Sequence, residues 1–181
     1  MRRHWFPKPY ADLVARLRVP AGFGLVILFV WLARPTWESL AIGLPLSVPG
    51  LLLRGWAAGH LAKNEQLTTT GPYAHVRNPL YLGTLLVAAG LVVASRVPLL
   101  ALIFGAVFVF IYLPVIELEE QHLRDLFPEY ESYARRVPLL RPRWSAAAGG
   151  VFRWQLYRRN EEYQALAGFL AGVAILIWKA S

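Results

Sequence analysis

Apolar residues gather into five runs, Pro20–Ala33, Leu40–Leu53, Leu80–Ser95, Val97–Ile116 and Tyr163–Trp178, parted by stretches that hold most of the charge. Val97–Ile116 reaches the roughly 20 residues that cross a ~30 Å hydrocarbon core untilted. The first two runs are short, and Pro45 and Pro49 interrupt the second. A re-entrant hairpin is therefore the alternative to two spans there. Ahead of the first run, Leu13, Val14 and Leu17 stand against Asp12, Arg16 and Arg18 within Ala11–Val19, the pattern of a short interfacial helix.

Charge placement orders these runs. The stretches between them hold, in turn, Arg2 to Arg18, then Arg34, then Arg54, Lys63 and Arg77, then Arg96, then Arg124 to Arg159, then Lys179. Rich and poor stretches alternate, with 16 of the 19 basic residues on one side. Cationic loops stay cytoplasmic, so the expectation is five spans with the N-terminus inside and the C-terminus outside. A hairpin at the first two runs keeps the same later parity; Arg34 on the poor side favours spanning. Trp31, Trp37, Trp56, Tyr73, Tyr112, Trp154, Tyr157, Tyr163 and Trp178 lie near run ends, as interfacial rings do.

Composition agrees. Hydrophobic residues make up 56% and charged residues 17%, against roughly 25% charged in average globular usage, and the mean hydropathy is +0.41. A net charge of +8 invites a nucleic-acid reading, but the basic residues are strung between long apolar runs, where anionic head groups are the better partner. Cysteine is absent, which excludes disulfides, thiolate metal sites and cysteine nucleophiles. No small-residue cleavage site follows the first apolar run, so no cleaved signal peptide is expected. The expected fold is all-α: a polytopic integral membrane protein of about five transmembrane helices plus cytoplasmic interfacial helices. Residues 1–181 read as one membrane domain, with a core at 63–138 and an interfacial segment plus last span at 139–181. Ser145–Gly150 is its linker-like piece. The expected location is the cytoplasmic (inner) membrane of a prokaryote.

The parity argument puts Lys63–Arg77 and Glu117–Arg159 on one face, where they can share a site. In the first stretch, Gly71-Pro72 marks a turn, and Asn78-Pro79 reads as an N-cap followed by proline at the first helical position. That helix start offers free N–H groups to an anion, although an ordinary helix start looks the same and Arg77 can be a snorkelling cation. In the second stretch, Leu123, Leu126, Phe127, Tyr130, Ala134 and Val137 recur at helical spacing. The fourth run should thus continue as a helix beyond the membrane, with Pro128 starting another. Glu120 is placed to pair with Arg124 four residues on, worth ~0.3–0.5 kcal/mol. His122 reads as a solvated surface imidazole. Glu119 lies about one turn past the last apolar residues, where a partly hydrated carboxylate gains from a cationic or hydrogen-bonding ligand.

Together the two stretches resemble the isoprenylcysteine carboxyl methyltransferase family and its relatives, the phospholipid methyltransferases. The matching residues are Gly71, Tyr73, Arg77, Pro79, Tyr81 and Gly83, then Glu119, Glu120, Leu123, Phe127, Tyr130, Tyr133, Val137 and Pro138, spanning roughly Lys63 to Pro138. The resemblance implies an S-adenosylmethionine-dependent membrane methyltransferase. By position it puts Leu67, Thr68, Tyr73, Asn78, Pro79, Leu80, Tyr81 and Glu119 at the cofactor, with Lys63, Arg77 and Glu120 as further site residues. It implies that Glu119 pairs with the cofactor's amino group while Tyr81 and Asn78 hold its polar atoms. Two positions depart from the family. Asn78 replaces a histidine, which removes a titrating group but keeps hydrogen bonding. The arginine that holds the substrate carboxylate falls on Val115, which cannot make that contact, so the resemblance leaves the acceptor open.

The reading is then methyl transfer to a lipophilic acceptor, with no metal and no assigned general base; Glu120 is the candidate proton acceptor for an amine. Gly83, Ala88, Ala89 and Gly90 serve close helix packing or leave room for an acyl or prenyl chain. Two alternatives stand beside it. Sterol reductases, which use a reduced nicotinamide cofactor, share a related pattern but are much longer. A non-catalytic scaffold or lipid-binding protein would use Arg153-Trp154-Gln155-Leu156-Tyr157-Arg158-Arg159 as an interfacial anchor.

Overall fold

The computed structural model describes residues 5–143 and 149–181. Arg2 and Arg3 lie outside them, as do the first four residues of the linker-like Ser145–Gly150. Each apolar run forms a helix, with Ala33 and Val97 as flanking cap residues: α1 (Lys8–Leu32), α2 (Trp37–Ala58), α3 (Pro79–Ser95), α4 (Pro98–Leu126) and, later, α7 (Glu162–Ala180). Between them lie the short helices α5 (Tyr130–Arg136) and α6 (Trp154–Arg159) and a 3-10 turn at Gly71–Ala74. Among the described residues, four helices are long and apolar enough to cross a membrane; α3, equally apolar, has 17 residues.

One expectation is corrected, and the hairpin alternative finds no support. Ala11–Val19 is not a separate interfacial helix but the first half of α1, which runs through Pro20 without interruption. Pro45 and Pro49 do not break α2, which spans 22 residues, about 33 Å at 1.5 Å per residue, and so is no half-length re-entrant arm. A proline removes one backbone hydrogen bond, and neighbouring helices in a membrane bundle can absorb that loss. The start of α2 is fixed instead by a capping box, in which Thr36 and Ser39 each accept the other's backbone N–H.

Antiparallel α2 and α3 form the backbone of the bundle. Glycines seven residues apart on both helices, Gly43 and Gly50 against Gly90 and Gly83, let the backbones touch. A Cβ on Gly50 would lie 2.5 Å from the Gly83 carbonyl oxygen and 2.8 Å from the Val87 nitrogen. Ser39 and Ser47 hydroxyls on α2 donate across this seam to the carbonyls of Ala94 (2.8 Å) and Val87 (3.1 Å) on α3. In lipid, where apolar burial gives little preference for a protein neighbour, such close contact holds helices together. The small residues of α3 therefore divide: Gly83 and Gly90 face α2, whereas Ala88 and Ala89 line a cavity.

Helix α4 widens to a π turn at Phe108–Tyr112, and the Phe110 carbonyl accepts the Tyr10 hydroxyl of α1 at 2.5 Å. Its last turns carry Glu117, Glu119 and Glu120 past the apolar section, as the spacing predicts, while α5 begins at Tyr130, two residues after Pro128. The last helix, α7, is tied to the bundle at both ends. Glu162 binds Arg54 bidentately (2.6 and 2.9 Å), and Lys179 donates to the Val30 carbonyl at 2.6 Å.

Candidate functional site

Three elements converge where α1, α3 and α4 approach. The first is the turn that precedes α3. Gly71 adopts φ +59°, and a Cβ there would strike the His60 ring at 2.6 Å, so glycine is required by both conformation and space. Its N–H donates to the Gly149 carbonyl at 2.8 Å. The following backbone is clamped from outside: Arg77 N–H donates to Pro138 (2.9 Å) and Asn78 N–H to Leu139 (3.2 Å). The Tyr133 hydroxyl on α5 donates to the Tyr73 carbonyl at 2.8 Å. The segments before α3 and after α5 thus hold each other, as the shared-face argument requires.

The second element is the start of α3. Asn78 occupies the N-cap position, but its side chain makes no capping hydrogen bond, which corrects the expected cap. The residue lines the cavity. Pro79 has no N–H to offer, so Leu80 and Tyr81 supply the first-turn donors.

The third element is the end of α4. The Tyr81 hydroxyl donates to Glu119 Oε1 at 3.0 Å. Arg18, on α1, reaches the same oxygen at 3.2 Å and the Tyr81 hydroxyl at 3.4 Å. This cluster is open: the Arg18 and Glu119 side chains are 40% and 46% exposed. Glu120, one residue on, behaves differently. Its side chain is 9% exposed and sits between Arg77 Nε (3.3 Å) and Arg124 (3.5 Å). The Arg77 contact is an ion pair without hydrogen-bond alignment, and neither facing atom has another hydrogen-bond partner. Burial pushes the Tyr73, Tyr130 and Tyr133 phenols above the ordinary tyrosine value, and the Glu120 carboxylate adds to the rise at Tyr130. All three remain neutral hydrogen-bonding groups at physiological pH.

These elements enclose one side of a cavity of about 1440 Å³. Leu67, Thr68, Tyr73, Asn78, Pro79, Leu80, Tyr81 and Glu119 all line it, as do Lys63 and Arg77. Glu120 does not: it sits between Arg77 and Arg124, outside the cavity lining. Val115 is buried on the wall. Sequence reasoning missed Arg18, taken as a charge on an interfacial helix, and Arg54, which lines the cavity while binding Glu162. His122, read as a surface imidazole, is exposed but stands along the cavity wall. Among the described residues no cluster of His, Asp and Glu could hold a metal ion.

An all-helical bundle with apolar spans, enclosing a cavity that is polar at Arg18, Tyr81 and Glu119 and apolar elsewhere along α1, α3 and α4, defines a helical membrane protein. More particularly, the chain belongs to the phospholipid methyltransferase family, whose model matches residues 17–130. With its apolar helices, that membership makes it an integral membrane protein. It is similar to the nickel-cobalt-cadmium resistance protein NccN of Alcaligenes xylosoxydans xylosoxydans, 32% identical over 152 residues, covering 79% of this chain and 65% of that protein. It is also similar to the cobalt-zinc-cadmium resistance protein CzcN of Cupriavidus metallidurans, 36% identical over 120 residues, covering 63% and 55% respectively. The chain thus spans less than two thirds of the length of either relative. No solved structure matches it.

Proposed function

We propose that the chain transfers a methyl group from S-adenosylmethionine to a lipophilic acceptor at the cytoplasmic membrane face. The observation that carries this reading is the Tyr81–Glu119 contact at 3.0 Å, which joins the start of α3 to the end of α4 at the polar end of the cavity. Its volume of about 1440 Å³ exceeds the ~300–1,000 Å³ of a typical single-ligand pocket. It therefore has room for a nucleoside-sized cofactor beside an acceptor chain.

The residues present suit the cofactor. Glu119 accepts hydrogen bonds from its ammonium group, while the Asn78 amide and the Tyr81 hydroxyl hold its other polar atoms. The uncapped start of α3 offers first-turn N–H groups to its carboxylate. Leu67, Leu80 and Thr68 form a wall against bulk water. When bound, the cofactor supplies a methyl already activated on a sulfonium, so the chain need provide no covalent nucleophile. What the chain does is hold acceptor and donor in line and keep water away. The Arg77–Glu120–Arg124 network fixes the turn before α3 against α4. The cytoplasmic placement rests on the arginine and lysine distribution.

Membranes carrying the chain, incubated with methyl-labelled S-adenosylmethionine, should transfer label into the organic-extractable fraction. Glu119→Ala should reduce that transfer. Label no greater than in membranes lacking the chain, with acceptor lipids of several classes supplied, would overturn the reading.

A further inference from the structure

Each arginine on the cavity wall has a carboxylate, but the three pairs are not equivalent. Arg54–Glu162 and Arg77–Glu120 each place the acid away from the cavity, with side chains 22%/10% and 13%/9% exposed. In Arg18–Glu119 both members line the cavity and both are about half exposed. The single contact between them, at 3.2 Å, contrasts with the two-pronged grip of Glu162 on Arg54. Arg18–Glu119 is therefore the pair a ligand can open.

Directly below Arg18 the wall turns apolar. Val19, Gly22, Phe23 and Val26 of α1 face Phe104 and Phe108 of α4 across the same cavity. Phe23 and Val26 also remain 68% and 59% exposed, so this side communicates with the lipid phase. A guanidinium at the head of an apolar slot is complementary to an oxyanion on a hydrocarbon tail.

We propose that Arg18 is an exchangeable partner of Glu119: when a cationic group takes Glu119, Arg18 is released and holds an acceptor amphiphile by its oxyanion head, a carboxylate or phosphate. The inference rests on the cofactor reading above and names the acceptor class for that same site. Its physical basis is charge balance. A cation that engages Glu119 leaves Arg18 without its counter-ion, and an anionic head group restores neutrality at a half-exposed position. Cofactor and acceptor then bind with positive coupling.

The test uses the full chain in phosphatidylcholine nanodiscs, titrated with dodecyl phosphate, laurate, dodecanol or inorganic phosphate, with and without saturating S-adenosylhomocysteine. In the wild type, S-adenosylhomocysteine should tighten dodecyl phosphate or laurate binding at least about tenfold, the scale of a charge-assisted contact. Which of the two gains more assigns the head group. Arg18→Lys should keep most of the gain. Arg18→Gln should lose it while binding S-adenosylhomocysteine as tightly as wild type or tighter, which also shows that the variant is folded. An equal gain for dodecanol, or inorganic phosphate binding as tightly as dodecyl phosphate, would overturn the amphiphile assignment. Arg18→Gln weakening S-adenosylhomocysteine tenfold would move Arg18 to the cofactor's carboxylate and overturn the exchange. Absence of any coupling sinks this inference alone; absence of S-adenosylhomocysteine binding sinks the cofactor reading with it.

Discussion

Substituting Glu120 by glutamine strips the nearly buried Arg77 of its carboxylate and leaves Arg124 only the exposed Glu131, at 3.9 Å. Arg77 is 13% exposed and faces Glu120 at 3.3 Å, whereas Arg124 is 27% exposed and lies 3.5 Å from the other oxygen. Removing one partner of a buried pair typically costs ~3–5 kcal/mol, chiefly because the surviving charge stays desolvated. The poor alignment of the Arg77 contact places Glu120→Gln near the lower end, about 3 kcal/mol. Arg77→Met should cost less, since Glu120 then keeps Arg124. At ~2–4 °C per kcal/mol for a chain of this length, Glu120→Gln lowers the thermal midpoint by ~6–12 °C. The double variant Arg77→Met/Glu120→Gln removes both charges and should fall short of the summed losses by ~1–3 kcal/mol. Thermal unfolding in detergent, followed by tryptophan fluorescence, reads all the variants. Losses that add to within ~0.5 kcal/mol would refute the buried pair as the tie between α4 and the turn before α3.

Other outcomes follow from particular contacts. Gly50→Val should destabilise by at least ~1–3 kcal/mol, because its first carbon meets Gly83 and Val87 backbone that cannot yield. Gly172→Ala, which meets nothing within 4 Å, should be neutral in the same thermal assay. The raised phenols of Tyr73, Tyr130 and Tyr133 give an alkaline limit. Below about pH 10 both states hold these protons and the contribution is complete; above it the unfolded chain ionises first, so stability falls as pH rises. The thermal midpoint should therefore hold up to about pH 10 and drop as pH rises further, and drop less in Tyr73→Phe.

The apolar runs and the α4 extension were legible because lipid-facing helices must be continuous and apolar, and helical spacing survives past the membrane at Leu123 and Phe127. The continuity of α1 and α2 was not. Pro20, Pro45 and Pro49 are local signals for interruption, and close packing against partners distant in sequence overrides them; at α2 the partner is α3. Charge alternation was enough to bring the turn at Gly71 and the acids of α4 to one face. It could not separate Glu119 from Glu120. Successive residues on a helix point about 100° apart, so one faces the cavity and the other faces Arg77, and only the rotation of α4 decides which. Arg18 was hidden for a related reason: its partner lies a hundred residues away, and no local pattern marks it. Asn78 stands at the N-cap of α3 as its place before Pro79 indicates, but its side chain makes no hydrogen bond to the helix end.

Calorimetric titration of the purified chain with S-adenosylhomocysteine addresses most directly whether the turn before α3 and the end of α4 grip one cofactor. Saturable binding is expected in the wild type. Because Glu119 is 46% exposed, its contact is partly screened and worth ~1–2 kcal/mol, so Glu119→Ala should weaken binding ~5–30-fold, with a smaller loss for Tyr81→Ala. Binding undiminished in both variants would contradict the site described.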